Sequence, residues 1–169
     1  AVAPDPRLTV MPFRVAAELA HPDRTGMLVT GACGKWEGWE DTQVCTGKIG
    51  ETCATVYGIR FLNQMLQLTG DFRYGDIMER MIYNALFCAQ EPAGRRVRYF
   101  NPPSGKREYY RRDTYCCPCN FRRGMIRLPE YVYYGTGDEI FVNLFEASEA
   151  TIELGAERMV TLRQRTDYP

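Results

Sequence analysis

Between Glu51 and Cys88 the apolar residues recur every three or four positions, and one short break, Leu-Thr-Gly-Asp, divides them. In the first half Val56, Ile59, Leu62, Met65 and Leu66 share one helical face, and Gly70 supplies a stop. Asp71 can cap a second helix whose stripe is Tyr74, Ile77, Met78, Met81, Ile82 and Ala85. The spacing predicts an αα-hairpin with apolar faces so broad that each helix needs neighbours on more than one side. The remaining chain does not obviously supply enough of them.

The flanks read differently. Pro4, Pro6, Pro12 and Pro22 break up residues 1–30 and leave a short helical candidate from Phe13 to Leu19. Residues 31–50 hold five glycines without a sustained period, which predicts a long loop, and loops of that length in a compact domain are usually functional or disordered. Trp36 and Trp39 weigh against disorder. Downstream, RRVRYF reads as a short strand and NPPSGK as a turn, followed by the basic, aromatic REYYRRDTY. A shorter helix is expected to open at Cys119 or Asn120 and run to about Glu130. Beyond it the period switches from 3.6 to 2, in VYYGTGDEIFVNLF, ATIEL and MVTLRQR. We place a domain boundary there, giving 1–134 and 135–169: mainly α, with a β C-terminal part of three or four strands, too few to close a sandwich.

Charge narrows the function classes. With 21 Lys+Arg against 21 Asp+Glu in 169 residues, the chain lacks the basic excess that a nucleic-acid or polybasic membrane-surface protein needs. No apolar run approaches the roughly 18–20 residues that span a bilayer. The N-terminus has neither an initiator Met nor a signal-peptide pattern, and is expected to be the cut edge of something longer.

Seven cysteines are too few for a disulfide-dense miniprotein and are odd in number, a pattern that more often goes with metal binding or chemistry. The single histidine, His21, is the only partner for a Ser-His or Cys-His pair. Two clusters stand out, Glu51-Thr-Cys53 and Cys116-Cys117-Pro-Cys119. Zinc takes four ligands from thiolate, imidazole and carboxylate, and Glu51, Cys53, Cys116 and Cys117 could supply them. Both clusters precede or open helices, where the dipole favours thiolate. Cys116-x-x-Cys119 could alternatively be a redox pair or half of a structural zinc site, and Cys33, Cys45 and Cys88 read as small buried hydrophobes.

The segments GETCATVYGIRFLNQMLQLTGD, YGDIMERMIYNAL, YFNP, YCCPCNFRR and LPEYVYY, with VNLFEASEATIEL and TDYP beyond, resemble the β-L-arabinofuranosidase family of bacterial glycoside hydrolases (glycoside hydrolase family 127-like) from about Thr30 onward. The resemblance implies a fold: an (α/α)6 barrel followed by β-sandwich domains, of which this chain would be the last part of the barrel and the first sandwich strands. The N-terminal half of the barrel is then expected on the full-length protein. It also implies a mechanism: zinc on Glu51, Cys53, Cys116 and Cys117, with Cys116 as the nucleophile of a retaining reaction. Tyr99 matches a family tyrosine near the substrate. The family's glutamate acid/base lies in the glycine-rich loop upstream; counting forward from Thr30-Gly31 gives Glu40, with Glu37 as competitor and Asp41 a distant third. Counting back from Glu51 gives Lys35, so the loop is expected to be shorter than in characterised members. Cys119 departs from the family pattern, and His21 falls outside the matched motifs.

The expected substrate is a terminal β-L-arabinofuranosyl or related furanosyl group on a plant-type glycan. Two alternatives stay open. One keeps the mechanism on an acidic pectin sugar, for which Arg111, Arg112, Arg122 and Arg123 could recognise a carboxylate. The other is a non-catalytic, zinc-stabilised carbohydrate-binding or structural module. No nucleic acid and no membrane are expected as partners, and a homodimer is among the assemblies this reading allows. Thiolate zinc sites survive best in reducing compartments, which favours the cytoplasm and leaves the periplasm open.

Overall fold

The computed structural model describes residues 10, 12, 14–17, 27–36, 38, 45–155 and 158–168. It divides into two compact units, Ala1–Gly124 and Met125–Pro169. Backbone at 14–17 is helical, within the span where the short helix is expected.

In the first unit, helix α1 (Thr52–Thr69) buries Val56, Ile59, Leu62, Met65 and Leu66, the stripe read from the sequence. Gly70 ends it in the left-handed region, at φ 67°, and its N–H returns to the Leu66 carbonyl at 2.8 Å. Phe72 is the N-cap of α2 (Arg73–Met81), and Asp71 just before it turns its Oδ1 to accept the Arg73 N–H at 3.1 Å. The second helix does not run on as a uniform α-helix. Residues Ile82–Leu86 form a π turn before the short α3 (Phe87–Ala89), a widening no period of 3.6 foretells. Ile82, Ala85 and Leu86 are buried by it.

The expected RRVRYF strand is not a ladder. Val97, Arg98 and Phe100 make isolated antiparallel bridges to Gln90, Tyr109 and Glu51 respectively, so this segment threads between elements instead of pairing with one. Helix α4 (Cys116–Ile126) begins three residues earlier than Cys119. Pro118 sits in its first turn, where no intrahelical N–H is required of it. Further along, Gly124 brings α4 close to α1 and the π turn: a Cβ there would lie 3.1 Å from Val56 Cγ2 and 3.7 Å from Leu86 Cδ1. Ile59, 2% exposed on the same helix as Val56, gives a graded test of how tightly α1 is packed. Ile59→Val is expected to cost about 1 kcal/mol in denaturant unfolding, for one lost methyl.

The second unit begins at Met125 and contains a 3₁₀ turn at Leu128–Tyr131 and four strands in two antiparallel hairpins. Strand β1 (Tyr133–Thr136) pairs with β2 (Glu139–Val142), with Tyr133 opposite Val142. Strand β3 (Ser148–Leu154) pairs with β4 (Arg158–Gln164), with Ala150 opposite Leu162 and Ile152 opposite Val160. A Tyr133 Oη–Ser148 Oγ hydrogen bond of 2.9 Å ties the hairpins together, above a small core of Tyr131, Val132, Leu144 and Leu154. Helices with a small antiparallel β part are thus the architecture. Among the described residues no helix is long and apolar enough to cross a membrane.

Candidate metal and catalytic site

Two helix N-termini meet in the first unit. At α1, Glu51 occupies the N-cap with extended backbone and Cys53 lies in the first turn. At α4, the first turn begins with Cys116 and Cys117. The start of α1 is not held by local sequence alone. The Glu51 N–H bonds to the Gly34 carbonyl at 3.1 Å, and the Thr52 N–H to the Tyr99 carbonyl at 3.0 Å. Thr52 Oγ1 donates to the Arg98 carbonyl at 2.7 Å and accepts from Asn101 Nδ2 at 3.0 Å. The threading segment 97–101 therefore fixes the entry to α1.

These constraints bring one ligand atom each from Glu51, Cys53, Cys116 and Cys117 within 4.8 Å of one another. The Cys53 and Cys117 sulfurs stand 3.2 Å apart, and Cys117 Sγ lies 3.9 Å from Glu51 Oε1. All of these cysteines are free. Glu51 is fully buried, Cys53 and Cys117 are buried, and Cys116 is half-buried. Tyr99 Oη meets Cys116 Sγ at 3.2 Å. Cys119 stands outside the group, and its N–H returns to the Tyr115 carbonyl.

The electrostatics follow from this crowding. The Cys53 thiol is lowered to about 7, first by the hydrogen bond from Cys117 and then by those from Asn120 and Cys116, against the opposing effect of burial. Cys117, the donor in the first of those bonds, is pushed up by it and by burial. Cys116 is also raised, chiefly by burial. The Tyr99 phenol is raised by burial and then by its bond to Cys116. The first ionised sulfur is stabilised by its neighbours' protons, while the others resist adding further negative charge. A divalent cation removes that conflict, since thiolates are its ligands and ionise as it binds. Sulfurs around tetrahedral zinc stand roughly 3.8 Å apart, so the 3.2 Å Cys53–Cys117 pair would need to open only slightly. One carboxylate and three sulfurs on two helix N-termini fit such an ion.

Beside this cluster lies a cavity of about 910 Å³. Tyr99, Tyr110 and Tyr115 line it with Trp36 and Phe100, and Lys48, Lys106, Arg111, Arg112 and Glu108 also contribute to its wall. The Tyr99 ring sits 4.8 Å from Phe100 and 5.2 Å from Tyr110, so the residue that touches Cys116 is clamped on several sides. Trp36 adopts φ 49°, unusual for a non-glycine, and presents its ring 5.2 Å from Phe100 with Lys48 Nζ 5.5 Å from its centroid.

The cluster unites Glu51 with Cys53, Cys116 and Cys117, and Tyr99 joins it at Cys116. Glu37, Glu40 and Asp41 lie outside the described residues, as do Trp39 and His21. Of the four arginines, Arg111 and Arg112 line the cavity, Arg122 pairs with Asp113, and Arg123 bonds to Asn120. Of the cysteines read as small buried hydrophobes, Cys33 is buried, with its thiol pushed up to about 12 by desolvation. Cys45 is exposed, and Cys88 is only half-buried and accepts from Arg98 Nη1 at 3.3 Å. Sequence reading missed Asn120, whose Nδ2 donates to Cys53 Sγ at 3.3 Å. Its signal was present in the spacing, three residues beyond Cys117 on a helix.

Comparison with known proteins identifies the family of the chain. Residues 23–130 match the family described as β-L-arabinofuranosidase, GH127 catalytic domain. A curated relative, the non-reducing end β-L-arabinofuranosidase of Bifidobacterium longum subsp. longum, is 29% identical over 71% of this chain and 20% of its own length. A solved GH127 β-arabinofuranosidase superposes with a TM-score of 0.76 at 28% identity, over 86% of this chain and 24% of that one. A GH127 β-L-arabinofuranosidase from Geobacillus stearothermophilus T6 gives 0.72 at 26% identity, over 86% of this chain and 26% of its own. The chain thus spans about a fifth to a quarter of these relatives. With more than half its length matched, and with the match covering both halves of the glutamate–cysteine cluster, the chain belongs to the GH127 β-L-arabinofuranosidase catalytic-domain family of glycoside hydrolases.

Proposed function

We propose that this chain carries the thiolate side of the active site of a retaining β-L-arabinofuranosidase acting on non-reducing terminal furanosyl groups. The observation that carries it is the convergence of Glu51, Cys53, Cys116 and Cys117 within 4.8 Å, with Tyr99 on Cys116. Zinc is the ion we assign to the four donors, since it takes tetrahedral thiolate and carboxylate ligands. When bound, it supplies the positive charge that keeps the thiols ionised near neutral pH. In the larger protein, residues 1–134 would complete an (α/α)6 barrel and 135–169 would begin a β-sandwich, with the zinc site kept reduced in the cytoplasm.

The chain's own residues then divide the work. Cys116 Sγ attacks the anomeric carbon as the bond to the leaving oxygen breaks, and Glu40 or Glu37 passes its proton to that oxygen. The same carboxylate next takes a proton from water, whose oxygen displaces Cys116 and restores the original anomeric configuration. Tyr99 holds the Cys116 sulfur at 3.2 Å and walls the cavity in which the sugar would sit. Cys116 is the half-buried member of the sulfur set, whereas Cys53 and Cys117 are buried, which suits the one sulfur that must meet substrate.

Zinc stoichiometry of the reduced protein by elemental mass spectrometry tests this directly. About one zinc per chain is expected, lost in Cys53→Ala; a well-folded wild type without zinc would sink the metal-thiolate reading. A carboxylated furanose is a second reading, favoured by the cationic side chains of Lys48, Arg111 and Arg112 that, among the described residues, line the cavity beside the Lys106–Glu108 ion pair. Assaying neutral against carboxylated furanosides separates the two. If the cysteines only staple helices, Cys116→Ser would damage folding without any turnover to lose.

A further inference from the structure

Asn120 lies one helical turn beyond Cys116 and Cys117 and is 8% exposed. Its carboxamide bridges two partners of opposite demand. Nδ2 is 3.3 Å from Cys53 Sγ, and Oδ1 accepts from Arg123 Nη1 at 3.1 Å. A guanidinium can only donate, so Arg123 requires the amide oxygen on its side. The NH₂ group is therefore turned toward Cys53. A flipped amide would set two donors against each other at Arg123 and aim oxygen lone pairs at the sulfur.

We infer that Asn120 is a positioning residue for the metal ligand Cys53, and that Arg123 fixes which end of its amide faces the sulfur. This rests on the metal reading proposed above. The thiol donors around Cys53, those of Cys116 and Cys117, lose their protons when they become ligands. Of the side-chain hydrogen bonds to Cys53 Sγ formed by the described residues, the one from Asn120 survives that change. It holds the sulfur in place, offsets its negative charge and leaves its remaining lone pairs for the ion. Outer-shell donors of this kind commonly alter metal affinity without touching the metal. Arg123 is exposed, so it acts on the buried amide from outside the core.

The test is competition of the reduced protein against a chelator for zinc, with cobalt(II) absorption as a second readout. Asn120→Asp keeps the size and the Arg123 partner but presents an oxygen to Cys53. It is expected to lose roughly 10- to 100-fold in zinc affinity. At saturating cobalt(II) its thiolate-to-metal charge-transfer band should match wild type, showing an intact ligand set on a weaker site. Arg123→Met should lose roughly threefold, the worth of an exposed hydrogen bond, and Arg123→Lys should restore wild-type affinity by keeping a donor. Tight zinc binding by wild type with equal or tighter binding by Asn120→Asp would overturn the inference. If Asn120→Asp does not fold, Arg123→Met decides: affinity equal to wild type overturns it. A well-folded wild type that binds neither ion removes the metal reading itself and this inference with it, a result distinct from either of those.

Discussion

Cys116→Ala in the full-length protein is expected to reduce turnover of a β-L-arabinofuranoside by roughly three orders of magnitude or more, as loss of a covalent nucleophile does. The expectation comes from position as well as chemistry. Cys116 is the half-buried member of the sulfur set, held by Tyr99 Oη at 3.2 Å, and Tyr99 lines the neighbouring cavity. Cys53 and Cys117, by contrast, are buried, and their sulfurs meet each other at 3.2 Å. Because Cys116 is also a proposed ligand, lost turnover alone does not separate the two roles. A mechanism-based furanosyl probe does so: mass spectrometry of the wild type should find the sugar on Cys116. Labelling of the fully folded enzyme at any other nucleophile would refute the assignment.

Gly50→Ala is expected to be strongly damaging, costing about 2–3 kcal/mol of stability in denaturant unfolding. Gly50 has φ +64°, where L-residues are strained. A Cβ there would also fall 2.9 Å from the Asn101 carbonyl oxygen and 2.9 Å from Ala32 Cβ. The first of these is backbone and cannot swing aside. The same carbonyl belongs to the residue whose N–H and side chain bond back to Gly50 and Thr52, so relief of the clash pulls on the start of α1. Zinc binding should weaken along with stability, because Glu51 and Cys53 are next in the chain. A variant as stable as wild type would show that the 97–101 segment yields easily.

The parts of the fold legible in the sequence were those set by local periodicity and by single-residue stops. Gly70 and Asp71 did what their chemistry predicts, because a helix end requires a left-handed residue and the next helix start requires an acceptor. The π turn at Ile82–Leu86 was hidden, since its apolar residues fit a 3.6 period nearly as well. The RRVRYF segment misled for a different reason. Its β-branched and aromatic residues favour extended backbone, but whether extended backbone pairs with one strand or bridges three elements is decided by tertiary partners. Helix α4 starts at Cys116, ahead of the Cys119 or Asn120 expected, and takes Pro118 into its first turn, where proline is at home. Within the site, the residues that cluster were legible from Glu51-Thr-Cys53 and Cys116-Cys117. Their approach was not, because nothing in either motif encodes the Gly34, Tyr99 and Asn101 contacts that aim α1.

The Cys53–Cys117 contact joins positions 64 residues apart. An ion held across it, as proposed above, would be a removable clasp on a long loop of chain, closing it as a disulfide closes one. On that reading, stripping the ion would silence the proposed nucleophile and at the same time release the loop, so a starved molecule would become both inert and easier to unravel. Metal supply would then set how long the protein lasts as well as how fast it works.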